Sequence, residues 1–193
     1  MPDFHNHDHQ SCDDATLGDL DDRSLLEAHL AGDRRAFSVM VRRHEGLLLR
    51  IAFTIVRDRG TAEDVVQAAF LSVFQAAPRF DHRASVKNWM CRITRNAAID
   101  ARRRHLARPS TTWSETEADR VIHPVDVANV ADARAIVDEV LWELPEVWRQ
   151  IVVMIDLLDL SFDQVADILA IPVGTVKSRR FRALRLLNER LAR

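Results

Sequence analysis

Ser161-Phe-Asp-Gln-Val-Ala-Asp-Ile-Leu-Ala-Ile-Pro-Val-Gly-Thr-Val-Lys-Ser-Arg-Arg-Phe-Arg182 is the stretch that decides how this chain folds. It reads as a short helix from Ser161 to Leu169, a tight turn, and a highly basic helix from Val173 onward. That is a helix-turn-helix, whose second helix has the shape and charge to lie in a DNA groove. At about 100° per residue, Val176, Ala183, Leu187 and Leu191 cluster on one face of the second helix, with Leu184 at the margin. Gly174, Ser178, Phe181, Arg182 and Arg185 fall opposite. A lone aromatic pointing away from the core among arginines suits a thymine methyl, with Lys177 and Ser178 in reach of base edges or phosphates. Arg179, Arg182 and Arg185 would neutralise the backbone. The plainer reading is a solvated basic face with a stray aromatic, and the preceding helix and turn weigh against it.

Working back from there, the sequence is helical throughout. Ser24 to Leu30 is a short helix stopped by Gly32. Asp33 caps a long one in which Phe37, Met40, Val41, His44, Leu48, Ile51, Ala52 and Ile55 recur at three-and-four spacing. Asp58-Arg-Gly60 reads as a turn, and Thr61-Ala-Glu-Asp64 resembles a capping box opening a third helix that runs to about Ala76. On it, Asp64, Gln67, Ala68 and Leu71 form a mixed polar and apolar stripe, suited to docking on a partner helix or to an ordinary amphipathic exterior. Pro78 ends that helix. A fourth helix runs from Ala84 to about Arg104, with Val86, Trp89, Met90, Ile93 and Ala97 on one side and Asn88, Arg92, Arg95 and Arg102 on the other. Phe80, Trp89, Asn96 and the arginines combine aromatic surface with positive charge, the pairing that holds unstacked single-stranded bases. Trp89 itself belongs to the apolar face and reads as core, which leaves Arg95 and Asn96 better placed for nucleic acid.

Residues 106–130 lack periodicity and read as a flexible, acidic linker containing Pro109 and Pro124. Helices resume near Asp132, break at Leu144-Pro145 and continue through Glu146–Leu157 to the helix-turn-helix. The expected architecture is therefore all-α: an acidic tail over 1–22, a helical module over 23–105, the linker, and a second helical module over 131–193.

Charge supports two nucleic-acid contacts on one chain. The net charge of −2 hides blocks: residues 80–108 hold eight basic and two acidic residues, and residues 172–193 hold seven and one. Residues 114–139 between them hold seven acidic and two basic. The tail has seven Asp and no Lys or Arg; its His5, His7, His9 and Cys12 lack a preorganised metal site. No apolar run approaches a membrane span, and the N-terminus has no secretory pattern, so a cytoplasmic protein is expected. Cys12 and Cys91 suggest no disulfide framework; Cys91 reads as packed rather than redox-active. There is no Gly-rich phosphate loop, HExxH or CxxC. The adjacent acids Glu63-Asp64 and Asp138-Glu139 point to different sides of their helices, so neither catalysis nor a cofactor is expected.

Three blocks in order, Ala62-Glu-Asp-Val-Val-Gln-Ala-Ala-Phe70, Asn88-Trp-Met-Cys-Arg-Ile-Thr-Arg-Asn-Ala-Ala-Ile-Asp100 and Pro172-Val-Gly-Thr-Val-Lys-Ser-Arg179, resemble the extracytoplasmic-function sigma factors of bacterial RNA polymerase. The resemblance spans about residues 24–190 outside the linker. It implies that the third helix grips the clamp helices of the polymerase's largest subunit through Asp64, Gln67 and Leu71. The fourth helix and the loop before it (Phe80 to Ser85) would open the −10 element and capture a flipped non-template base, with Phe80, Ser85, Asn88, Arg92, Arg95 and Asn96 on that surface. The second module would read the −35 element through Gly174, Thr175, Lys177, Ser178, Arg179, Phe181, Arg182 and Arg185. The partners implied are core RNA polymerase at the clamp helices and flap, promoter DNA, and an anti-sigma factor, with no membrane insertion. Three positions depart from the pattern: Ala68 replaces a usual Glu, Ala170 a usual Gly in the turn, and Arg180 a usual apolar residue that must then snorkel or find an acid. The 25 Arg to two Lys suggest a GC-rich genome, and the chain looks most like the actinobacterial SigM-type members. A stand-alone helix-turn-helix regulator is the alternative; it needs a dimerisation element, for which no candidate is evident.

Overall fold

The computed structural model describes residues 17–107 and 139–191. Among them the regular elements are all helical: α1 (Asp22–Leu30), α2 (Arg34–Val56), α3 (Arg59–Ala76), a 3₁₀ turn (Ala77–Arg79), α4 (Val86–Leu106), α5 (Glu146–Val152), α6 (Phe162–Leu169) and α7 (Val173–Leu191). Residues 139–143 are also helical, and α5 continues into a π turn over Val153–Leu157. The tail histidines, Cys12 and most of the expected linker lie outside the described residues.

Short polar side chains set most of the helix starts. Asp21 accepts a hydrogen bond from the Ser24 amide at 2.7 Å, Asp33 from Arg35 at 2.9 Å, and Ser85 from Asn88 at 3.1 Å. Each satisfies an otherwise orphan first-turn donor and is worth about 1 kcal/mol. Ser161 and Gln164 form a reciprocal capping box, at 3.2 Å and 2.8 Å. The start of α3 differs from expectation. Asp58, not Thr61, is its cap, taking both the Thr61 amide at 2.7 Å and the Thr61 hydroxyl at 2.6 Å, so Arg59 and Gly60 are helical rather than a turn.

The first module packs α2, α3 and α4 around Met40, Leu48, Ile51, Val66, Val73, Met90 and Cys91, with α1 closing over α2 through Leu25 and Leu26. The acidic segment before α1 is anchored at its end. Leu17 is buried, and Asp22 takes Arg43 Nη1 at 2.8 Å and lies 2.9 Å from His44 Nε2. Burial would raise the Asp22 carboxyl, but the hydrogen bonds from His44 and Arg43 outweigh it and hold the carboxyl below its ordinary value. A lowered folded value means that this contribution is present above the carboxylate range and is lost as pH falls through it.

The two modules share one apolar core. Ile151, Met154, Leu160, Val165, Ile168, Leu169 and Val176 continue the buried cluster of the first module, while Leu141, Leu144, Val152, Val153 and Ala183 make a smaller second cluster. Helix α5 is buried along four consecutive residues, Arg149 to Val152, as befits an element packed on more than one side. One side meets α7 and another meets α2; α6 lies against α4. The Arg149 guanidinium is held at this seam. Its Nε donates to the Thr54 carbonyl at 3.0 Å, its Nη1 to that of Leu144 at 3.3 Å, and it stacks 3.8 Å from the Trp142 ring centroid. Burial pushes it down to about 10, still protonated at neutral pH.

Two predictions arise here. Ala170, which joins α6 to α7, is left-handed at φ 53°, ψ 46°, and exposed. Glycine takes this conformation without the Cβ penalty, so Ala170→Gly should raise unfolding free energy by about 1 kcal/mol, read by urea denaturation. Cys91 is fully buried, and burial raises its thiol to about 12. At pH 8 its thiolate fraction is then roughly a thousandfold below that of a free thiol, so iodoacetamide should label it only after unfolding, as read by mass spectrometry.

Candidate nucleic-acid interface

The helix-turn-helix is assembled by its capping box, the Ala170 turn and Val176, which is fully buried beneath α7. Its outward face carries Gly174, Lys177, Ser178, Phe181, Arg182 and Arg185, all exposed, with Thr175 and Arg179 half-buried beside them. Phe181 is 70% exposed, an aromatic ring held in water by a helix whose core side is already filled. The Ser178 hydroxyl donates to the Thr175 carbonyl at 3.1 Å, and Arg185 lies 3.6 Å from the exposed Glu189, a screened and weak pair. Arg180 has found its acid: its Nε donates to Asp156 at 2.9 Å and its other arm also binds that carboxylate, raising the guanidinium above its ordinary value. It therefore braces α7 against the end of the π turn. Leu191, expected on the buried face, is exposed.

The second basic segment surrounds α4. Before it, Phe80 is half-buried, its ring 4.5 Å from Trp89 and 4.8 Å from His82, while His82 adopts φ 58°. Trp89 is buried and serves as the floor of this aromatic group. Ser85 is exposed, and its hydroxyl is committed to the cap of α4. Arg92 and Asn96 are exposed along the helix. Asn88 and Arg95 do not stand open as expected. Asn88 is 8% exposed and donates from Nδ2 to Asp167 at 3.1 Å; Arg95 is half-buried and donates from Nε to Gln150 at 2.9 Å. Burial lowers the Arg95 guanidinium. The physical reason is that α6 packs on this side of α4 and α5 reaches it with Gln150, neighbours that periodicity within α4 cannot announce.

On α3 the side chains of Asp64, Gln67, Ala68 and Leu71 are all exposed in one stripe. Leu71 is 58% exposed, and Phe74, exposed three residues on along the same helix, extends its apolar surface. The Phe74 ring lies 4.9 Å from His29 and 5.3 Å from Phe37, which fixes its position at the edge. Phe74 was not among the expected contact residues, although its place three residues beyond Leu71 carries the signal.

Residues 40–108 match the family Sigma-70 region 2, and residues 134–187 match Sigma-70, region 4. The chain is 37% identical over 173 residues to the "ECF RNA polymerase sigma factor SigM" of Mycobacterium tuberculosis H37Rv, a match covering 89% of this chain and 83% of that protein. The chain belongs to the ECF RNA polymerase sigma factors. It directs promoter-specific transcription. This sigma factor is also 29% identical to the "ECF RNA polymerase sigma-E factor" of Escherichia coli K12, over 89% of this chain and 95% of that one. Among solved structures, CnrH in complex with the cytosolic domain of CnrY has the same fold, with a TM-score of 0.68 and 24% identity over 89% of this chain and 97% of that one. RpoE in complex with NepR from Bartonella quintana superposes with a TM-score of 0.62 at 23% identity, covering 81% and 96%. Among the described residues no helix of the sigma factor is long and apolar enough to cross a membrane.

Proposed function

We propose that this sigma factor docks on core RNA polymerase through α3, opens and reads the −10 element with α4 and the loop before it, and reads the −35 duplex with α7. The observation that carries this reading is the outward face of α7. Phe181 stands 70% exposed among Lys177, Arg182 and Arg185, and a base-edge methyl is an apolar surface that such a ring fits. Asp64, Gln67 and Leu71 suit the polymerase clamp helices, because a stripe with an apolar centre and polar flank is what a helix-on-helix contact needs. Phe80, Ser85, Arg92 and Asn96, joined by Asn88 and Arg95 when these are free, form the −10 surface. The sigma factor has no catalytic site of its own in this scheme; recognition and strand opening are what it lends to the polymerase. An anti-sigma partner belongs to the same proposal; RpoE was solved with the anti-sigma factor NepR, and CnrH with the cytosolic domain of CnrY.

Photo-crosslinking tests the assignment. With benzoylphenylalanine in place of Asn96 or Phe181, the holoenzyme on promoter DNA should crosslink from Asn96 to the non-template strand near −10 and from Phe181 near −35. Crosslinks from both positions to one element would overturn it.

A further inference from the structure

We propose that Arg180 is a phosphate-binding residue of the −35 interface, held by Asp156 in the free chain and passed from that carboxylate to a backbone phosphate on the duplex. The proposal rests on the assignment of α7 to the −35 element. At about 100° per residue, Arg180 and Arg182 stand to either side of Phe181 on opposite flanks of α7. A helix about 10–12 Å across fills a major groove about 12 Å wide, so each flank meets one of the two strands. Arg182 serves the first flank, and Arg180 is the arginine on the second.

Its surroundings place the guanidinium where that strand would pass. Arg180 Cζ lies 5.9 Å from the Phe162 ring centroid, and Lys177 Nζ lies 5.6 Å from the same centroid. The two cations are thus within about 12 Å of each other, and Lys177 already belongs to the outward face. Phe162 is the first residue of α6, the helix that in this motif crosses the DNA backbone.

The pair with Asp156 suits exchange. Nε donates to the carboxylate at 2.9 Å and Nη2 also binds it, the two-pronged grip that a guanidinium applies to phosphate as well. The two side chains keep 30% and 27% of their exposure, and an ion pair so open to water contributes little net stability. Asp156 can therefore be surrendered at small cost. Asp159 and Asp163 are also exposed on this stretch, so the flank draws a strand only through Lys177 and Arg180. While Asp156 neutralises Arg180, that draw is restrained until a duplex is seated on α7.

The test measures affinity of the holoenzyme for a −35-dependent promoter duplex by fluorescence anisotropy over a series of salt concentrations. Arg180→Leu should weaken binding about fivefold and lower the slope of log affinity against log salt by about 0.9, the share of one phosphate. Arg180→Lys, which keeps the charge, should keep the slope. Asp156→Asn frees the guanidinium and should tighten binding about threefold, as for a competent fraction raised from roughly one-third to full. In the Arg180→Leu background Asp156→Asn should change nothing. Should Arg180→Leu fail to fold, Arg180→Gln carries the same expectations. Loss of affinity in both single variants with the slope unchanged would leave the pair a brace of α7 and nothing more, and overturns the proposal. So does a gain from Asp156→Asn that persists without Arg180, the mark of general repulsion by an acid. Arg182→Ala separates the causes of a failure. If it lowers the slope and Arg180→Leu does not, α7 still reads the duplex and only the role of Arg180 falls. If neither lowers it, the assignment of α7 has failed as well.

Discussion

Affinity for core RNA polymerase is expected to fall about a hundredfold in Asp64→Ala/Gln67→Ala/Leu71→Ala. Leu71 is the apolar centre of the α3 stripe, and a large side chain that becomes buried in an interface costs about 2 kcal/mol or more when truncated. The flanking Asp64 and Gln67 add roughly another 1 kcal/mol, the net worth of exchanging water for an interfacial hydrogen bond. Together these give a loss near two orders of magnitude at about 1.4 kcal/mol per factor of ten. All three side chains are exposed in the free chain, so thermal unfolding should be nearly unchanged. Fluorescence titration of labelled sigma factor with core polymerase measures the effect. A variant that folds and binds core normally would show that polymerase docks elsewhere.

Phe181→Ala should lower transcription from −35-dependent promoters about tenfold while leaving core affinity intact. The ring is 70% exposed, so truncation opens no cavity and removes only what it would bury against DNA. One specific base-edge contact is worth about 1–3 kcal/mol, and the loss should concentrate on a single position of the −35 element. By contrast, Arg182→Ala should weaken binding across sequences and reduce its salt dependence, the signature of a phosphate contact. Electrophoretic mobility shifts over a −35 substitution series, at two salt concentrations, separate the two behaviours. Equal loss at all positions for Phe181→Ala would move that residue from base reading to the backbone.

Much of this molecule was legible in its sequence because its signals are local. The Asp33 cap, the run of buried positions along α2 and the helix-turn-helix all follow from spacing within a few residues. The left-handed Ala170 and the choice left to Arg180 between snorkelling and an acid came instead from the family resemblance, as departures from its pattern; the structure gives Ala170 a positive φ and Arg180 the carboxylate of Asp156. The start of α3 was misjudged because Asp58 and Thr61 are both good caps, and Gly60 between them imitates a turn. Long-range burial was less accessible. Arg149 lies between Trp148 and Ile151 on a helix buried on several sides, yet nothing near it names Thr54 as its partner. Asn88 and Arg95 illustrate the same limit at the candidate site. Donors aligned on a helix declare that they seek acceptors, and a nucleic-acid strand and the second module both provide them.

Run-off transcription tests the central claim most directly. Core RNA polymerase is incubated with and without the purified full-length chain on a library of bacterial promoter fragments. Start-site-specific transcripts should appear only when both are present, from fragments that share one motif near −10 and another near −35. Tight duplex binding by the chain alone, with no transcript and no stable complex with core polymerase, would contradict the account.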